Sequence, residues 1–415
     1  MMRWAVLGVR RRWRAATAAL VCWAAGCAAP AGADSLLVAS YDTGNLLRYN
    51  AETFELRTVF AAGGAGGLVN PGELAIGPDG NVYVASYTSN SVFRFNGVTG
   101  AALGAFAGPA SGLLGPRGMA FGPDGKLYVA SSGNNQVLRY DPASGNALGG
   151  FTSGAALDAP IGLTFGADDH LYVGTALPSV LKFDGASGQY LGLFANQGLT
   201  VPQALKFGPD GNLYVGNEFS RSIARFNGAT GALIDQFVPS DSGGLRNPQG
   251  FDFGNGKLFV SNLVTTGEND GVLSYSVADG SFLGAAVAGG GQSGSTLSQP
   301  SGLMFLEPAW HNASHPEDVD AGGFVAPLDV LIVINELNAN GVHLTPLTHG
   351  PAGAKLPYYD VTGDELITPQ DALVLINLLN NAPPGAAFVP EPTTGALVLA
   401  ALGAIAFWAR RRRPR

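Results

Sequence analysis

One pattern of residues recurs six times along most of the chain. Its clearest copy runs from Pro116 to Phe151 and contains a Tyr-Val-Ala-Ser segment. The central valine of this segment returns at intervals of 46, 45, 44, 42 and 45 residues. The six valines are Val38, Val84, Val129, Val173, Val215 and Val260. A regular period of this length indicates a repeat architecture, in which each copy is one unit that packs against its neighbours.

Each copy carries signals for four short strands. In the clearest copy they are Gly118–Phe121, Lys126–Ser131, Gln136–Tyr140 and Ala147–Phe151. A Gly-Pro-Asp-Gly turn separates the first two strands, because proline presets φ and glycine takes the left-handed position. Four strands in a repeat of about 45 residues predict one blade of a β-propeller. The predicted fold of this region is therefore all-β.

The two ends of the repeat region are complementary. The first copy, which starts at Ser35, lacks its first strand, and an orphan strand, Pro300–Phe305, follows the last copy. Pairing of this orphan with Leu36–Val38 would complete a blade from both chain ends. Such pairing closes the ring and removes an exposed sheet edge. The sequence predicts a closed six-bladed propeller over residues 34–308.

These repeats resemble the NHL-type six-bladed propellers and their relatives, which include the streptogramin lyases and the gluconolactonase group. The resemblance covers about 275 residues and implies the fold. It implies much less about activity, because propellers carry many unrelated functions.

The predicted ligand-binding residues lie on the face where the fourth strand leads to the next first strand. Six of them follow the Tyr-Val-Ala segment or its equivalent, and two are carboxylates in neighbouring loops. They are Ser40, Ser86, Ser131, Thr175, Asn217 and Asn262, with Glu73 and Glu218. One interpretation is that the small polar side chains bond to their own turns. The other is a polar ring around a central mouth that binds a sugar or another polar ligand.

An enzyme is the alternative to a binding module. A streptogramin lyase needs convergent histidine and glutamate, but the one histidine of the repeat region, His170, falls in a turn on the opposite face. A gluconolactonase needs carboxylates and amides around a divalent metal, for which Glu73, Glu218, Asn217 and Asn262 are the candidates. The sequence favours a binding protein and assigns no catalytic residue. It leaves open a gluconolactonase-like or streptogramin lyase-like enzyme acting on a polar metabolite or glycan.

A shorter duplication follows a linker at 309–316. Two twelve-residue loops, 318–329 and 360–371, each precede a mostly apolar helical segment, Val330–Asn338 and Ala372–Asn380. Oxygen-bearing residues at alternate loop positions favour Ca²⁺, which takes six to eight oxygen ligands. The predicted ligands are Asp318, Asp320, the Phe324 carbonyl and Asp329 in loop one, and Asp360, Thr362, Asp364, the Leu366 carbonyl and Asp371 in loop two.

This duplication resembles the type I dockerin module, a small all-α, EF-hand-like unit, over residues 317–382. The resemblance implies docking onto a cohesin-like or other envelope protein. Two positions depart from the pattern: Gly322 replaces an oxygen ligand and Glu365 replaces the turn glycine. The alternative is a metal-free helical pair with a shared core of Ile332, Ile334, Leu373 and Ile376.

Residues 1–33 have the form of a secretory signal. Arg10–Arg12 and Arg14 precede the apolar stretch Ala15–Ala29, and Ala31-Gly32-Ala33 is a small-residue cleavage site. An uncleaved anchor and lipidation at Cys27 are alternatives. The only other cysteine is Cys22, so the rest of the chain carries no disulfide.

A second targeting segment, residues 389–415, follows a short linker at 383–388. Pro390-Glu391-Pro392 precedes the apolar run Gly395–Ala409, and Arg410–Arg413 closes it. This order resembles the PEP-CTERM sorting signal. It implies transient anchoring in the inner membrane, processing by an exosortase, and release or attachment in the envelope or outside the cell. An ordinary tail anchor is the alternative.

Charge narrows the set of partners. Ten of the 23 basic residues but only one of the 31 acidic residues lie in the terminal segments, which leaves 13 basic residues against 30 acidic ones. Such a surface repels nucleic acid and anionic lipid. We therefore expect an exported cell-envelope or extracellular binding protein with a Ca²⁺-dependent docking module, and the sequence leaves a glycan ligand and a role in polysaccharide metabolism open.

Overall fold

The computed structural model describes residues 34–264, 270–289, 296–306, 327–340, 343–344, 361 and 366–381. Within these ranges the repeat forms six four-stranded antiparallel sheets. The innermost strand of each sheet packs against the innermost strands of the two neighbouring sheets, which places the sheets as blades around a central channel. This confirms the predicted six-bladed propeller. The targeting segments 1–33 and 389–415 and the linkers lie outside the described residues.

The strands run in chain order from blade to blade. Blade 1 contains β1 (Ser35–Ser40), β2 (Leu46–Asn50) and β3 (Leu56–Ala61), and blade 2 contains β4 (Pro71–Ile76), β5 (Val82–Ser86), β6 (Ser91–Phe95) and β7 (Ala102–Ala107). Blade 3 contains β8 (Pro116–Phe121), β9 (Leu127–Ser131), β10 (Gln136–Tyr140) and β11 (Ala147–Gly150), and blade 4 contains β12 (Pro160–Phe165), β13 (Leu171–Thr175), β14 (Val180–Phe183) and β15 (Tyr190–Ala195). Blade 5 contains β16 (Pro202–Phe207), β17 (Leu213–Asn217), β18 (Ser222–Phe226) and β19 (Leu233–Val238), and blade 6 contains β20 (Pro248–Gly254), β21 (Lys257–Asn262), β22 (Gly271–Ser276) and β23 (Phe282–Ala288). The last strand, β24 (Pro300–Leu306), is the innermost strand of blade 1. Short 3-10 turns occupy Ala65–Gly67, Pro109–Ser111, Ser132–Asn134 and Ser242–Gly244.

The ring closes as the sequence predicts. Strand β24 pairs antiparallel with β1, so that Phe305 lies opposite Leu36 and Leu303 lies opposite Val38. The Phe305 ring also stacks on Phe259 of blade 6 with centroids 5.9 Å apart. One blade is thus built from both ends of the repeat region, and its innermost strand joins blade 6 to blade 2.

The repeated turn and the repeated tyrosine hold each other in place. In blade 3, the Tyr128 hydroxyl donates to Asp124 of the Gly-Pro-Asp-Gly turn at 3.1 Å. The ring lies edge-on between Phe151 of its own blade and Phe165 of the next, with centroids 4.8 and 4.9 Å away. Edge-to-face pairs of this kind add about 0.5–1.5 kcal/mol each to apolar burial. The same contacts recur at Tyr83, Tyr172 and Tyr214.

Glycine lets the inner strands approach one another. A Cβ on Gly302 would lie 2.2 Å from the Gly72 carbonyl oxygen, and a Cβ on Gly118 would lie 2.5 Å from the Ile161 carbonyl oxygen. Distances below 3.0 Å are excluded for a real Cβ. Most inner strands therefore require glycine at their third position, and the channel is narrow there.

The C-terminal module contains two described helices, α1 (Pro327–Asn340) and α2 (Pro369–Asn381), and a two-residue pairing of β25 (His343–Leu344) with β26 (Leu366–Ile367). Both predicted helical segments are helical. Ile334 and Ile376 lie in a shared core, as predicted, and Ile332 packs at its edge. Leu373 is 47% exposed, so its predicted place in this core is wrong. Ala372 and Ile376 point at the core, and Leu373 is rotated onto the outer side of α2.

Candidate functional site

The six predicted polar residues at the ends of the second strands are buried beneath the loops of the mouth face. The most exposed of them, Thr175, is 1% exposed. The Ser131 hydroxyl donates to the Leu114 carbonyl at 3.1 Å and accepts the Leu114 N–H at 2.9 Å. Asn262 Oδ1 accepts the N–H groups of Arg246 and Asn247 at 2.8 and 3.1 Å. These side chains bond to the loop that leads into the inner strand.

Ser40, Ser86 and Asn217 bond to the equivalent loops, whereas Thr175 bonds within the loop that follows its own strand. Ser86 donates to the Val69 carbonyl, Thr175 donates to the Leu177 carbonyl, Asn217 accepts the Thr200 N–H, and Ser40 donates to the Ser298 carbonyl. A role of the six residues in ligand binding stays a prediction. Their geometry makes them supports of the mouth loops.

A small pocket of about 70 Å³ lies at the mouth of the channel. Its polar side chains come from the start of the inner strands, and Tyr87 adds an aromatic ring; they are Glu73, Arg117, Gln203, Gln249 and Ser301. The Arg117 guanidinium lies 4.9 Å from the centroid of Tyr87, within cation–π range. The pocket therefore combines one carboxyl group, several N–H donors and an aromatic face.

The predicted carboxylate Glu218 lies next to this pocket and not in its lining. Gln203 is almost fully buried, and its Nε2 donates to Glu218 Oε2. Glu218 follows Asn217 at the end of β17, and Gln203 is the second residue of β16. Glu218 thus orients an amide that lines the mouth, so it supports the pocket from outside.

Glu73 occupies a position at which the other inner strands have no room for a long side chain. The pairing of β4 with β5 matches that of β8 with β9, so Glu73 is equivalent to Gly118. The residues at this position in the other blades are Gly118, Gly162, Ala204, Gly250 and Gly302. Burial raises the pKa of the Glu73 carboxyl to about 7, against an attraction from Lys206 that lowers it. The fold accepts a costly carboxyl group at a position where neighbouring inner strands approach closely.

A second cavity, of about 310 Å³, adjoins the mouth pocket along the channel, and both are lined by Glu73 and Gly118. Lys206 and Thr164 provide its other polar side chains. The Lys206 ammonium forms an ion pair with Asp252 at 2.5 Å. Asp252 is 6% exposed and also accepts the N–H groups of Phe253 and Phe305 at 2.8 and 3.1 Å.

Sequence reasoning missed Lys206, Asp252 and Thr164. The first two occupy the fifth position of their inner strands, where the other strands carry alanine, threonine or methionine. Two charged residues at equivalent positions of neighbouring strands, both expected to be in the interior, were the available signal.

The residues of the enzyme alternatives lie apart from the mouth pocket. His170 sits in the turn before β13, where its Nδ1 accepts the Gly185 N–H at 3.3 Å. The amides of Asn217 and Asn262 are held by their loops and do not line the pocket. Over the described ranges, no three His, Cys, Asp or Glu side chains converge in a way that suits a metal ion.

Most predicted Ca²⁺ ligands lie outside the described residues: Asp318, Asp320, Phe324, Asp360, Thr362 and Asp364. Asp329 falls in the first turn of α1 and Leu366 in β26. Asp371 is fully buried at the start of α2, where its Oδ2 accepts the N–H and the hydroxyl of Thr368 at 2.8 and 3.2 Å. Thr368 and Asp371 together cap the helix that follows loop two.

Comparison with known proteins identifies the C-terminal segments. Residues 316–380 match the Dockerin type I domain, and residues 388–413 match the PEP-CTERM protein-sorting motif. No curated protein matches the chain in sequence. No described helix is long and apolar enough to span a bilayer.

Solved structures share the propeller fold. A protein of unknown function from Bacteroides caccae and a chain of a nidogen/laminin complex each match with TM-score 0.51 and 16% identity, over 66% of this chain and 98% of theirs. A putative gluconolactonase matches with TM-score 0.44 and 18% identity, over 55% of this chain and 86% of its own. The chain thus combines a propeller, a dockerin type I module and a PEP-CTERM signal, which is the composition of an exported protein with a docking module.

Proposed function

We propose that this chain is an exported binding protein whose propeller holds a polar ligand at the channel mouth while its C-terminal module docks onto an envelope partner in the presence of Ca²⁺. The matches to the dockerin type I domain and the PEP-CTERM motif support docking and export. The mouth pocket carries the ligand-binding part of the proposal. A pocket at the end of a channel, with a few convergent polar groups, is the usual form of a small-molecule site.

The chemistry of the mouth suits the end of a glycan chain. A sugar ring presents hydroxyl groups at its rim and an apolar C–H face. Gln203, Gln249 and Arg117 offer N–H donors, and Tyr87 offers an aromatic face. Phe219, in the loop that follows β17, is 72% exposed on the same face of the propeller. The pocket volume of about 70 Å³ admits part of one sugar ring, so the rim would hold the rest.

A glycan array on the mature protein tests this assignment. We expect Tyr87→Ala and Arg117→Met to reduce binding at least tenfold, since each removes a contact worth more than about 1.4 kcal/mol. Arg139→Met is the matched control, because Arg139 also lies over an aromatic ring, at 5.3 Å from Phe151, but in an outer part of blade 3. Binding that survives both mouth variants would overturn the assignment.

Loop two is the stronger Ca²⁺ site in this proposal. Its side-chain oxygens stand at loop positions one, three, five, nine and twelve, which are Asp360, Thr362, Asp364, Thr368 and Asp371. Loop one has Gly322 and Ala326 at positions five and nine. The affinity for Ca²⁺ grows with the number of oxygen ligands. The extra ligands of loop two therefore add more binding free energy than the backbone strain at Glu365 removes. The Thr368–Asp371 cap places the end of loop two against α2, which suits a metal that orders this helix.

Calorimetric Ca²⁺ titration of the mature protein tests the ranking. Asp360→Ala should remove the tighter binding event, and Asp318→Ala should leave it in place. The opposite result would place the stronger site in loop one, and the absence of any Ca²⁺ binding would overturn Ca²⁺-dependent docking.

The sorting segment should be removed in the native host. An exosortase would cleave near Pro390-Glu391-Pro392. The mature protein should then lack residues 396–415, which mass spectrometry can detect. A mature protein that retains this segment would show that it serves only as an anchor.

A further inference from the structure

The larger channel cavity holds an acidic group and a basic group that do not pair with each other. Glu73 and Lys206 both line it. Within the part of the chain that the structure describes, Glu73 forms no ion pair, whereas Lys206 pairs with Asp252. Asp252 does not line the cavity, so it stands behind the ammonium. A ligand in the cavity therefore meets an ammonium at one point of the wall and a carboxyl group at another.

Asp252 holds the Lys206 ammonium in place but does not use all of its N–H donors. Asp252 forms an ion pair with the ammonium and accepts two hydrogen bonds from backbone N–H groups, which fixes its carboxylate. An ammonium has three N–H donors, so Lys206 retains donors for a ligand. Its side chain is 41% exposed and lines the cavity.

The remaining wall carries one further hydroxyl group and several apolar side chains. The hydroxyl belongs to Thr164 on β12, the strand next to that of Lys206, and its internal contact to the Phe165 carbonyl is long, at 3.5 Å. Met304, Met119 and Leu163 line the rest of the cavity. A volume of about 310 Å³ is ample for a molecule of amino-acid size. The site thus offers one anionic group, one cationic group and an apolar surface.

We propose that this cavity binds a small zwitterion of the amino-acid type, whose ammonium pairs with Glu73 and whose carboxylate pairs with Lys206. A ligand with one charge would satisfy one of these groups and leave the other without a partner in the channel. A zwitterion satisfies both and adds no net charge. This site adjoins the glycan site at the mouth and shares Glu73 and Gly118 with it, but its ligand and its test variants are different.

The protonation state of Glu73 provides the decisive signature. The charged groups around it are Lys206 from β16 and Asp252 from β20, while Arg117 of the adjacent β8 is drawn over Tyr87. Burial raises the pKa of Glu73 to about 7, and an ammonium binds only the ionised carboxylate. Zwitterion affinity should therefore fall about tenfold from pH 8 to pH 6, with proton release on binding near neutral pH.

The test is calorimetric titration of the mature protein with glycine, alanine, leucine and 4-aminobutyrate, each to about 10 mM, a range that detects millimolar affinity. Propionate and propylamine are the singly charged controls. We expect at least one zwitterion to bind at pH 8 and to bind about tenfold more weakly at pH 6. Both singly charged ligands should bind at least tenfold more weakly than that zwitterion.

Two variants locate the site. Glu73→Gln should reduce zwitterion affinity at least tenfold and abolish its pH dependence, and Lys206→Met should have a similar effect on affinity. Lys182→Met is the matched control, because Lys182 pairs with Asp168 in a surface turn. The pH profile of the unmodified protein does not depend on any variant folding well.

Three results would overturn the proposal. The first is that no zwitterion binds. The second is that propionate binds as tightly as the zwitterions and that its affinity rises at low pH, and the third is that zwitterion binding survives Glu73→Gln. The first leaves the glycan site untouched, because that site is measured on the array with Tyr87 and Arg117 variants. The second would make the cavity a carboxylate site that uses Lys206 and protonated Glu73.

Discussion

Replacement of Glu73 by glutamine should stabilise the ligand-free propeller at neutral and alkaline pH. Burial raises the pKa of Glu73 from its ordinary value of 4.5 to about 7. Between these pH values the folded chain binds the proton more tightly than the unfolded chain. Stability contributed by this group is therefore complete below pH 4.5, falls as pH rises through the interval, and is lost above pH 7. Glutamine keeps the size of the side chain and removes its ionisation.

The magnitude follows from the two pKa values. A difference between 4.5 and about 7 corresponds to about 3 kcal/mol at 1.36 kcal/mol for each tenfold change. The carboxyl group faces a channel that admits water, so about 2 kcal/mol is the better expectation. In a domain of this size, 1 kcal/mol changes the melting temperature by roughly 2 °C. Glu73→Gln should therefore melt about 4 °C above the unmodified protein at pH 8.

Thermal unfolding followed by near-UV circular dichroism at pH 5 and pH 8 provides the measurement. The difference in melting temperature between Glu73→Gln and the unmodified protein should be large at pH 8 and small at pH 5. The effects of other titrating groups are the same in both proteins and cancel in this comparison. Glu52→Gln is the control, because Glu52 lies exposed in a surface turn. Equal melting temperatures at pH 8, or an equal gap from Glu52→Gln, would refute the reasoning.

Three further perturbations test the ring. Gly302→Ala should cost at least about 3 kcal/mol in denaturant unfolding, because its Cβ would lie 2.2 Å from the Gly72 carbonyl oxygen. A chain that ends at Gln299 loses β24 and its pairing with β1, so it should melt well below the full protein, and equal melting would contradict closure by β24. Lys206→Met should destabilise by about 2 kcal/mol, because it leaves the buried Asp252 without its cation, whereas Lys182→Met should cost less than about 1 kcal/mol because Asp168 is exposed. Equal losses in these two variants would show that the channel pair is no more buried than a surface pair.

The sequence specifies the ring because each copy of the repeat carries the residues that make the same contacts within and between blades. Tyr128 and Asp124 recur in every well-formed copy, since the hydroxyl bonds to the turn and the ring packs between blades. The missing strand before Ser35 and the extra strand from Pro300 are visible in the same alignment. These features predict the topology because each depends on residues close together in the chain and recurs in the next copy.

The mouth was harder to predict, because position in a repeat does not reveal what covers it. Ser131 and Asn262 end their strands on the mouth face, as expected, but the preceding loops fold over them and take their hydrogen bonds. Arg117 and Gln203 reach the pocket because they stand one residue later than the proline that starts each inner strand. Only the course of the loops distinguishes these two sets.

In the channel, a departure from the repeat pattern indicates a functional position. Alignment on the proline that starts each inner strand places Glu73 with Gly118, not with Arg117, since Gly72 stands between Pro71 and Glu73. At that position the close approach of neighbouring strands excludes nearly every side chain. A carboxyl group there weakens the fold in its ionised form, and its nearest cation, Lys206, is already paired with Asp252. Departures of this kind concentrate at functional sites, because binding is the benefit that offsets the lost stability.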